Sequence, residues 1–89
     1  MNLRDNTAQS RYEMEVGGDL VFARYRREGK VVHLLHVEAA PQLRGTGAAG
    51  KFMKALLDEF REQGMKVIPV CGYAAGWLDR HEDYQDLLA

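Results

Sequence analysis

A glycine-rich segment in the middle of the chain carries the most informative chemistry in the sequence. It reads Gln42-Leu43-Arg44-Gly45-Thr46-Gly47-Ala48-Ala49-Gly50-Lys51, between an apolar stretch and an amphipathic one. The first backbone N–H groups of a helix have no partner within the helix, and the helix dipole is positive at that end. Glycines let an anion approach such N–H groups closely. The segment therefore predicts a phosphate-binding loop that opens a helix, and a plain glycine-rich turn is the alternative.

Two nucleotide-binding patterns overlap in this loop, and both are incomplete. Gly45, Gly47 and Gly50 spell G-x-G-x-x-G, but a dinucleotide fingerprint begins directly after a strand and has an acidic residue about 20 positions later. The end of the next apolar run offers no such carboxylate. Gly45 to Lys51 also spells G-x-x-x-x-G-K, but Phe52 follows where a P-loop has Ser or Thr to bind magnesium. The sequence therefore disfavours both a dinucleotide site and a nucleotidase.

The elements before the loop have the pattern of an antiparallel meander. Residues 1–10 are polar and aperiodic, which predicts a loose terminus. Apolar and charged residues then alternate with period two, and glycine-containing turns separate the runs. The last run is apolar on both faces except for His33 and His36, which is typical of a strand covered on two sides. The predicted strands are Arg11–Val16, Leu20–Arg26 and Val31–Val37.

The elements after the start of the loop predict a strand–helix–strand unit. Apolar residues recur at helical spacing between Thr46 and Gln63, and Gly64 is placed to end that helix. A short apolar run, Met65 to Cys71, predicts a buried strand parallel to the one before the helix. A short helix over Tyr73–Arg80 and a terminal turn complete the chain. The predicted fold class is α+β: a mixed sheet, an antiparallel meander followed by a parallel βαβ unit, with helices on the sheet faces.

Composition limits the classes of function. The chain has 89 residues, a net charge of −1 and a pI of about 6.3, so it lacks the basic surface of a nucleic-acid binder. Cys71 is the single cysteine, which excludes an intrachain disulfide. No apolar run reaches the roughly 18 residues of a membrane span. We expect one soluble, cytoplasmic domain with neither nucleic acid nor membrane as a partner. We expect no metal site either, because His33 and His36 are three residues apart and should face opposite ways on a strand.

Four short segments together resemble a known family. The pattern Gln42-x-x-Gly45-x-Gly47 resembles the coenzyme A pyrophosphate loop of the GNAT acetyltransferase superfamily, and the order of elements agrees. The chain is still more similar to the small YjdJ-type GNAT-like domains, through His36-Val37-Glu38-Ala39, Arg44-Gly45-Thr46-Gly47, Cys71-Gly72-Tyr73 and His81-Glu82-Asp83-Tyr84. Val37 stands where that pattern has Thr, and Glu82 where it has Pro, which weakens inference about the acceptor.

The resemblance implies a single acetyl-CoA-binding domain over residues 11–89. Backbone N–H groups of the loop would bind the pyrophosphate, with Arg44 and Lys51 either adding charge to the phosphates or remaining solvated. The pantetheine arm would pair with backbone near His36, Val37 and Glu38, where the two parallel strands part. The implied cofactor-binding set is Val37, Gln42, Leu43, Arg44, Gly45, Thr46, Gly47 and Ala48.

The resemblance also implies catalytic groups, each with a structural alternative. His36 or Glu38, which share a face by period two, would take a proton from the amine, although His36 could equally be a hydrogen-bonded sheet residue. Tyr73 or Tyr84 would protonate the leaving thiolate. Cys71 would accept an acyl group, or else it is a small buried residue at a strand end.

The function that the resemblance implies is N-acetyltransfer from acetyl-CoA to an unidentified amine, on a small molecule or a protein. The alternative is a CoA or acyl-CoA-binding module without turnover. A pure interaction domain is the third possibility, and the intact Gln42, Gly45 and Gly47 pattern argues against it. We expect a monomer or a weak homodimer.

Overall fold

The computed structural model describes residues 3–89, which form one five-stranded sheet and two α-helices. The strands lie in chain order, antiparallel throughout except for the last pair, which is parallel. The predicted fold class is therefore confirmed. The strands are β1 (Arg4–Asn6), β2 (Arg11–Val16), β3 (Asp19–Glu28), β4 (Val31–Ala39) and β5 (Lys66–Pro69); the helices are α1 (Ala48–Glu62) and α2 (Gly72–Asp79), and short 3₁₀ helices span Thr7–Gln9, Pro41–Leu43 and Glu82–Leu87.

Helix α1 is two residues shorter at its start than its periodicity suggests. It begins after Gly47, whose positive φ of 84° gives the chain a left-handed turn at that point. Its end is set by Gly64, with a φ of 68°, and by the N–H of Met65, which donates to the carbonyl of Phe60. Neither α1 nor any other described helix is long and apolar enough to cross a membrane.

The hydrophobic core lies on one face of the sheet, beneath both helices. Val32 and Leu34 of β4 are fully buried there, against Phe52, Leu56 and their neighbours on α1. On the opposite face Leu35 is 39% exposed and Ile68 36% exposed. The prediction that β4 is covered on two sides is therefore wrong: helices cover one face, which we call the covered face, and the other is the open face.

The amino-terminal segment is ordered rather than loose from Arg4 onward. Arg4–Asn6 forms an edge strand against β2, and the reason is Glu13, which is 1% exposed on the open face. Its carboxylate accepts hydrogen bonds from Arg4 at 2.8 Å, from Asn6 at 3.1 Å and from Arg11. Burial raises the pKa of Glu13, but these hydrogen bonds outweigh it and lower the pKa to about 2. Residues 1 and 2 of the predicted loose terminus lie outside the described part.

A bulge in β4 places His33 and His36 on the same face. Arg26 is paired with His33 and Arg24 with His36, with a register shift between Arg24 and Tyr25. Since Arg24 and Arg26 are two residues apart, they share a face, and so do their cross-strand partners. The prediction that the two histidines face opposite ways is therefore wrong, because the alternation it assumed is interrupted at Leu35.

Candidate functional site

Strands β4 and β5 part to form a wedge at the centre of the candidate site. Their pairing runs from Val31 with Lys66 to Leu34 with Pro69. The N–H groups of Val70 and Cys71 then both donate to the carbonyl of Leu34, each at 3.0 Å, and the chain turns away into α2. Beyond that point no described strand pairs with β4 on this side. The parallel pair thus opens beside the last five residues of β4.

The register of β4 shows which of its backbone groups face the wedge. The N–H of Ala40 donates to the carbonyl of Leu20 on β3, so Ala40 bonds toward β3. Backbone groups alternate in direction along a strand, so Glu38 also bonds toward β3, whereas Val37 and Ala39 point the other way. The backbone groups of Val37 thus face the wedge, and the resemblance implies that this residue pairs with an extended ligand. Ala39 faces the wedge in the same way, and the sequence analysis did not include it.

The glycine-rich loop directly follows the end of β4, the strand that lines the wedge. Gly45 and Gly47 have φ values of 77° and 84°, which ordinary side chains rarely adopt. A Cβ added at either position would meet nothing within 4 Å, so the space above the loop backbone is open. The glycines are therefore required by backbone conformation, and the room they leave suits a close-approaching anion.

Four of the six predicted loop donors already form hydrogen bonds within the loop. The N–H groups of Leu43, Arg44 and Thr46 donate to the carbonyls of Ala40, Pro41 and Leu43. That of Ala48 donates to the Thr46 hydroxyl, which itself donates to the Leu43 carbonyl at 2.6 Å. No acceptor within residues 3–89 is bonded to the remaining N–H groups of this region, which belong to Gly45, Gly47, Ala49 and Gly50. Thr46 and its neighbours thus hold the loop, and four N–H groups, two of them not anticipated from the sequence, remain for a ligand.

Two polar side chains of the loop region, one charged and one neutral, differ in their surroundings. Arg44 is exposed and lies close enough to Glu38 for its charge to lower the pKa of that carboxyl. Gln42 is exposed on the 3₁₀ turn, and its side chain makes no hydrogen bond to the described residues. Arg44 therefore connects the loop electrostatically to the open face.

His36 and Glu38 form a hydrogen-bonded pair on the open face, beside the wedge. The Nε2 atom of His36 lies 3.0 Å from Oε1 of Glu38, and both side chains are about half exposed. The hydrogen bond from His36 lowers the pKa of Glu38; burial opposes this effect, and the charges of Arg44 and Arg24 add to the lowering. An ionised carboxylate only accepts hydrogen bonds, so Nε2 carries the proton and Nδ1 of a neutral His36 keeps its lone pair. The predicted sharing of a face is thus confirmed.

Cys71 and Tyr73 lie where the wedge meets α2. Cys71 is half-buried and immediately precedes the first residue of α2. Tyr73 is 39% exposed; partial burial raises its pKa, the charge of Arg80 lowers it and nearby Cys71 raises it. The phenol is therefore protonated at neutral pH and can donate.

Tyr84 is placed away from the wedge. Its buried hydroxyl donates to Asp58 at 2.7 Å and accepts from Lys54 at 3.1 Å, on the outer side of α1. Burial, together with Asp58, raises its pKa. Of the two tyrosines proposed as acids, only Tyr73 lies beside Cys71, and Tyr84 joins the carboxyl-terminal 3₁₀ helix to α1.

No metal centre is found in the described part of the chain, where no three His, Cys, Asp or Glu side chains come close enough to bind an ion.

Comparisons with known proteins agree with this architecture. Residues 11–87 match the family model described as GCN5-related N-acetyltransferase, and the chain belongs to that family. The fold is similar to the NMR solution structure of a GCN5-like candidate N-acetyltransferase from Staphylococcus aureus. The TM-score is 0.74 at 22% identity, over 99% of this chain and 87% of that one. No curated protein matches the sequence.

Proposed function

We propose that this protein binds acetyl-CoA in the wedge and transfers its acetyl group to an amine presented on the open face. The observation that carries the proposal is the parting of β4 and β5 next to the loop of Gly45 and Gly47. Backbone groups of Val37 and Ala39 line one side of that opening, and free N–H groups at the start of α1 lie at its wide end. An extended amide-containing chain with a pyrophosphate at one end is the kind of ligand that uses both.

The residues present fit such a ligand. The open space above Gly45 and Gly47 admits a pyrophosphate, and the free N–H groups and the dipole of α1 favour its charge. The amide-bearing arm would hydrogen-bond with Val37 and Ala39 as an added strand does. When bound, acetyl-CoA supplies a thioester, whose carbonyl carbon is open to attack by a neutral amine.

His36, Glu38 and Tyr73 have the properties that this transfer requires. Glu38 holds the Nε2 proton of His36, so Nδ1 can accept the proton that the attacking amine releases. The attacking amine would form the new C–N bond as the C–S bond breaks, and Tyr73 would give its proton to the departing sulfur. Cys71 lies beside the same point, either as a transient acyl acceptor or as packing at the strand end.

One observation favours a second candidate, a CoA-binding module without turnover. The His36 and Glu38 side chains are 44% and 51% exposed, on a face that no described helix covers. An amine there would have a single wall, so its orientation would contribute less to the rate than in an enclosed site.

A thermal-shift titration tests the shared claim of both candidates. CoA and acetyl-CoA should raise Tm, because a ligand at about 100 times its Kd adds about 2.7 kcal/mol of stability, or roughly 10 °C for a chain of this size. ATP and NAD should leave Tm unchanged at equal concentration. A shift with ATP or NAD instead, or with none of the four, would overturn the proposal.

Two histidine variants separate the enzyme from the module. His36→Gln should retain CoA binding and lose release of free CoA thiol in the presence of an amine panel. His33→Gln is the matched control, because His33 also pairs with a glutamate, Glu28 at 2.9 Å, on the same face of β4 but at its other end. Wild-type protein that binds CoA and releases no thiol with any amine would favour the module. Intact mass spectrometry of Cys71→Ala and wild type, each incubated with acetyl-CoA, shows whether the sulfur carries an acetyl group.

A further inference from the structure

A pocket of about 320 Å³ lies outside the wedge, between the first turns of α1, the end of α2 and the carboxyl-terminal 3₁₀ helix. The function proposed above makes no use of it. Its chemistry is mixed, with two lysines, one carboxylate and three aromatic rings. It is lined by Gly50, Lys51, Lys54, Trp77, His81, Asp83 and Tyr84.

Trp77 contributes an unused donor to this pocket. The residue is only 5% exposed, and its indole Nε1 forms no hydrogen bond with the side chains or backbone of residues 3–89. That nitrogen points to the α1 side of the pocket, since a Cβ added to Gly50 would lie 3.7 Å from it. His81 stacks on the indole at 3.6 Å and donates its Nδ1 proton to the Trp77 carbonyl at 2.6 Å, which holds the ring in place. No side-chain nitrogen or oxygen of the described residues is both buried and without a partner, so this N–H reaches the open space of the pocket and can donate to a ligand acceptor there.

The charges around the indole favour an anion. Lys51 is exposed and forms no ion pair within the described chain, whereas the Lys54 ammonium is shared between Tyr84 and Asp58. Asp83 is the one carboxylate of the lining, and Asp58 offsets the charge of Lys54, so Lys51 is the lysine of the lining whose charge remains available to an anion. The free N–H of Gly50, in the first turn of α1, adds a backbone donor on the same side as the indole N–H.

The distance between the pocket and the glycine-rich loop limits which anions could bind in the pocket. Lys51 is four residues beyond Gly47, which at 1.5 Å per residue is about 6 Å along α1. A ligand whose pyrophosphate lies at the loop could therefore also reach the pocket if it carries a second phosphate about 6 Å away, which is roughly the span of one ribose. CoA has such a group, the 3′-phosphate of its adenosine.

We propose that Trp77, Lys51 and the amino-terminal turn of α1 form a phosphate-monoester subsite that reads the ribose 3′-phosphate of CoA. This inference rests on the proposed function, and it adds specificity for CoA over 3′-dephospho-CoA. The indole N–H and the Lys51 ammonium each donate to phosphate oxygens, and Asp83 limits the strength of binding.

Calorimetric titration with CoA and 3′-dephospho-CoA tests the subsite. Wild type should bind CoA about 10- to 100-fold more tightly, as expected of hydrogen bonds to a charged group. Trp77→Phe keeps the ring and removes the N–H, and Lys51→Gln removes the charge; each should reduce the ratio about 5- to 10-fold. Both act on CoA alone and leave the affinity for 3′-dephospho-CoA unchanged. Asp83→Asn should increase the ratio about 2- to 3-fold.

The controls separate this inference from the proposed function. Lys30→Gln removes an equal charge at the turn before β4, at the opposite end of the strand from the loop, and should leave the ratio unchanged. Trp77 is the single tryptophan, so its fluorescence in wild type should respond to CoA more than to 3′-dephospho-CoA. Equal affinity for the two ligands overturns the subsite and leaves the proposed function standing. Binding of neither ligand overturns both.

Discussion

Side chains of the same strand are buried to very different extents on the two faces of the sheet. On β4, Leu34 is fully buried beneath the helices, and its neighbour Leu35 is 39% exposed on the open face. His36 and Glu38, which we propose to take part in proton transfer, lie on that open face, where each side chain is about half exposed. Stability and candidate chemistry are thus largely divided between the faces, so we expect the exposed residues of the open face to tolerate substitution without loss of the fold.

The loop and the wedge lie at the border between the faces and are built from backbone. The groups proposed to bind CoA are N–H and C=O groups of Val37, Ala39, Gly45 and Gly47, which a substitution by any residue other than proline leaves in the chain. We therefore expect cofactor binding to depend on backbone conformation, and transfer to depend on individual side chains.

The largest predicted effect is a difference in stability between alanine variants of two adjacent leucines of β4. Leu34→Ala should lower the free energy of unfolding by about 3–4 kcal/mol, because it removes a fully buried side chain and leaves a cavity. Leu35→Ala should cost less than about 1 kcal/mol. Urea denaturation of both variants checks the division between faces. Equal losses would show that the open face is also packed.

Glu13 is the one buried charged residue of the described chain, and it lies on the open face. Substituting it should give the next largest change in stability. The pKa of Glu13 is about 2 in the folded protein and 4.5 ordinarily, so its stabilisation is present above pH 4.5 and is lost as the pH falls toward 2. The difference corresponds to about 3 kcal/mol.

Glu13→Gln should remove most of that acid dependence, and denaturation curves across this pH range measure it. Glu15→Gln, on the same strand with an exposed side chain, should retain the dependence. An unchanged pH profile in Glu13→Gln would contradict the role of the buried carboxylate.

The third effect concerns turnover alone. His36→Gln should lower kcat about 100-fold, the size typical of a lost general base, while Tm and the Kd for CoA stay as in wild type. Thiol release and calorimetry provide the two readouts. A fall in CoA affinity comparable to the fall in rate would assign His36 to cofactor binding. It would contradict the claim that backbone groups bind CoA while side chains carry out the transfer.

The smallest predicted effect comes from substituting a loop glycine, and it separates the cost of backbone strain from a loss of CoA affinity. Gly47→Ala forces a side chain into a φ of 84° and should cost about 1–2 kcal/mol of stability and about tenfold in CoA affinity. Gly18→Ala imposes similar strain at a φ of 86°, in the β2–β3 turn, and should cost stability only. Equal CoA affinity in the two variants would contradict the role of the loop.

Local patterns predicted the elements, the glycine loop and the His36–Glu38 pair, because each depends on residues near in sequence. The bulge at Leu35, the pairing of β1 through Glu13 and the pocket at Trp77 depend on contacts between distant segments. Glu13 illustrates the difference: alternation assigns it to the less covered face, but only the arrival of Arg4 and Asn6 buries it. The helix-free open face likewise follows from where α2 packs, which no local pattern specifies.

The most direct test of the central claim is a ¹⁵N NMR titration of the whole chain with CoA, following each backbone amide. The amides of Val37, Ala39, Gly45 and Gly47 should shift most, whereas Glu38, which bonds toward β3, should shift less. Largest shifts on β1 and β2, or no shifts at all, would contradict binding in the wedge.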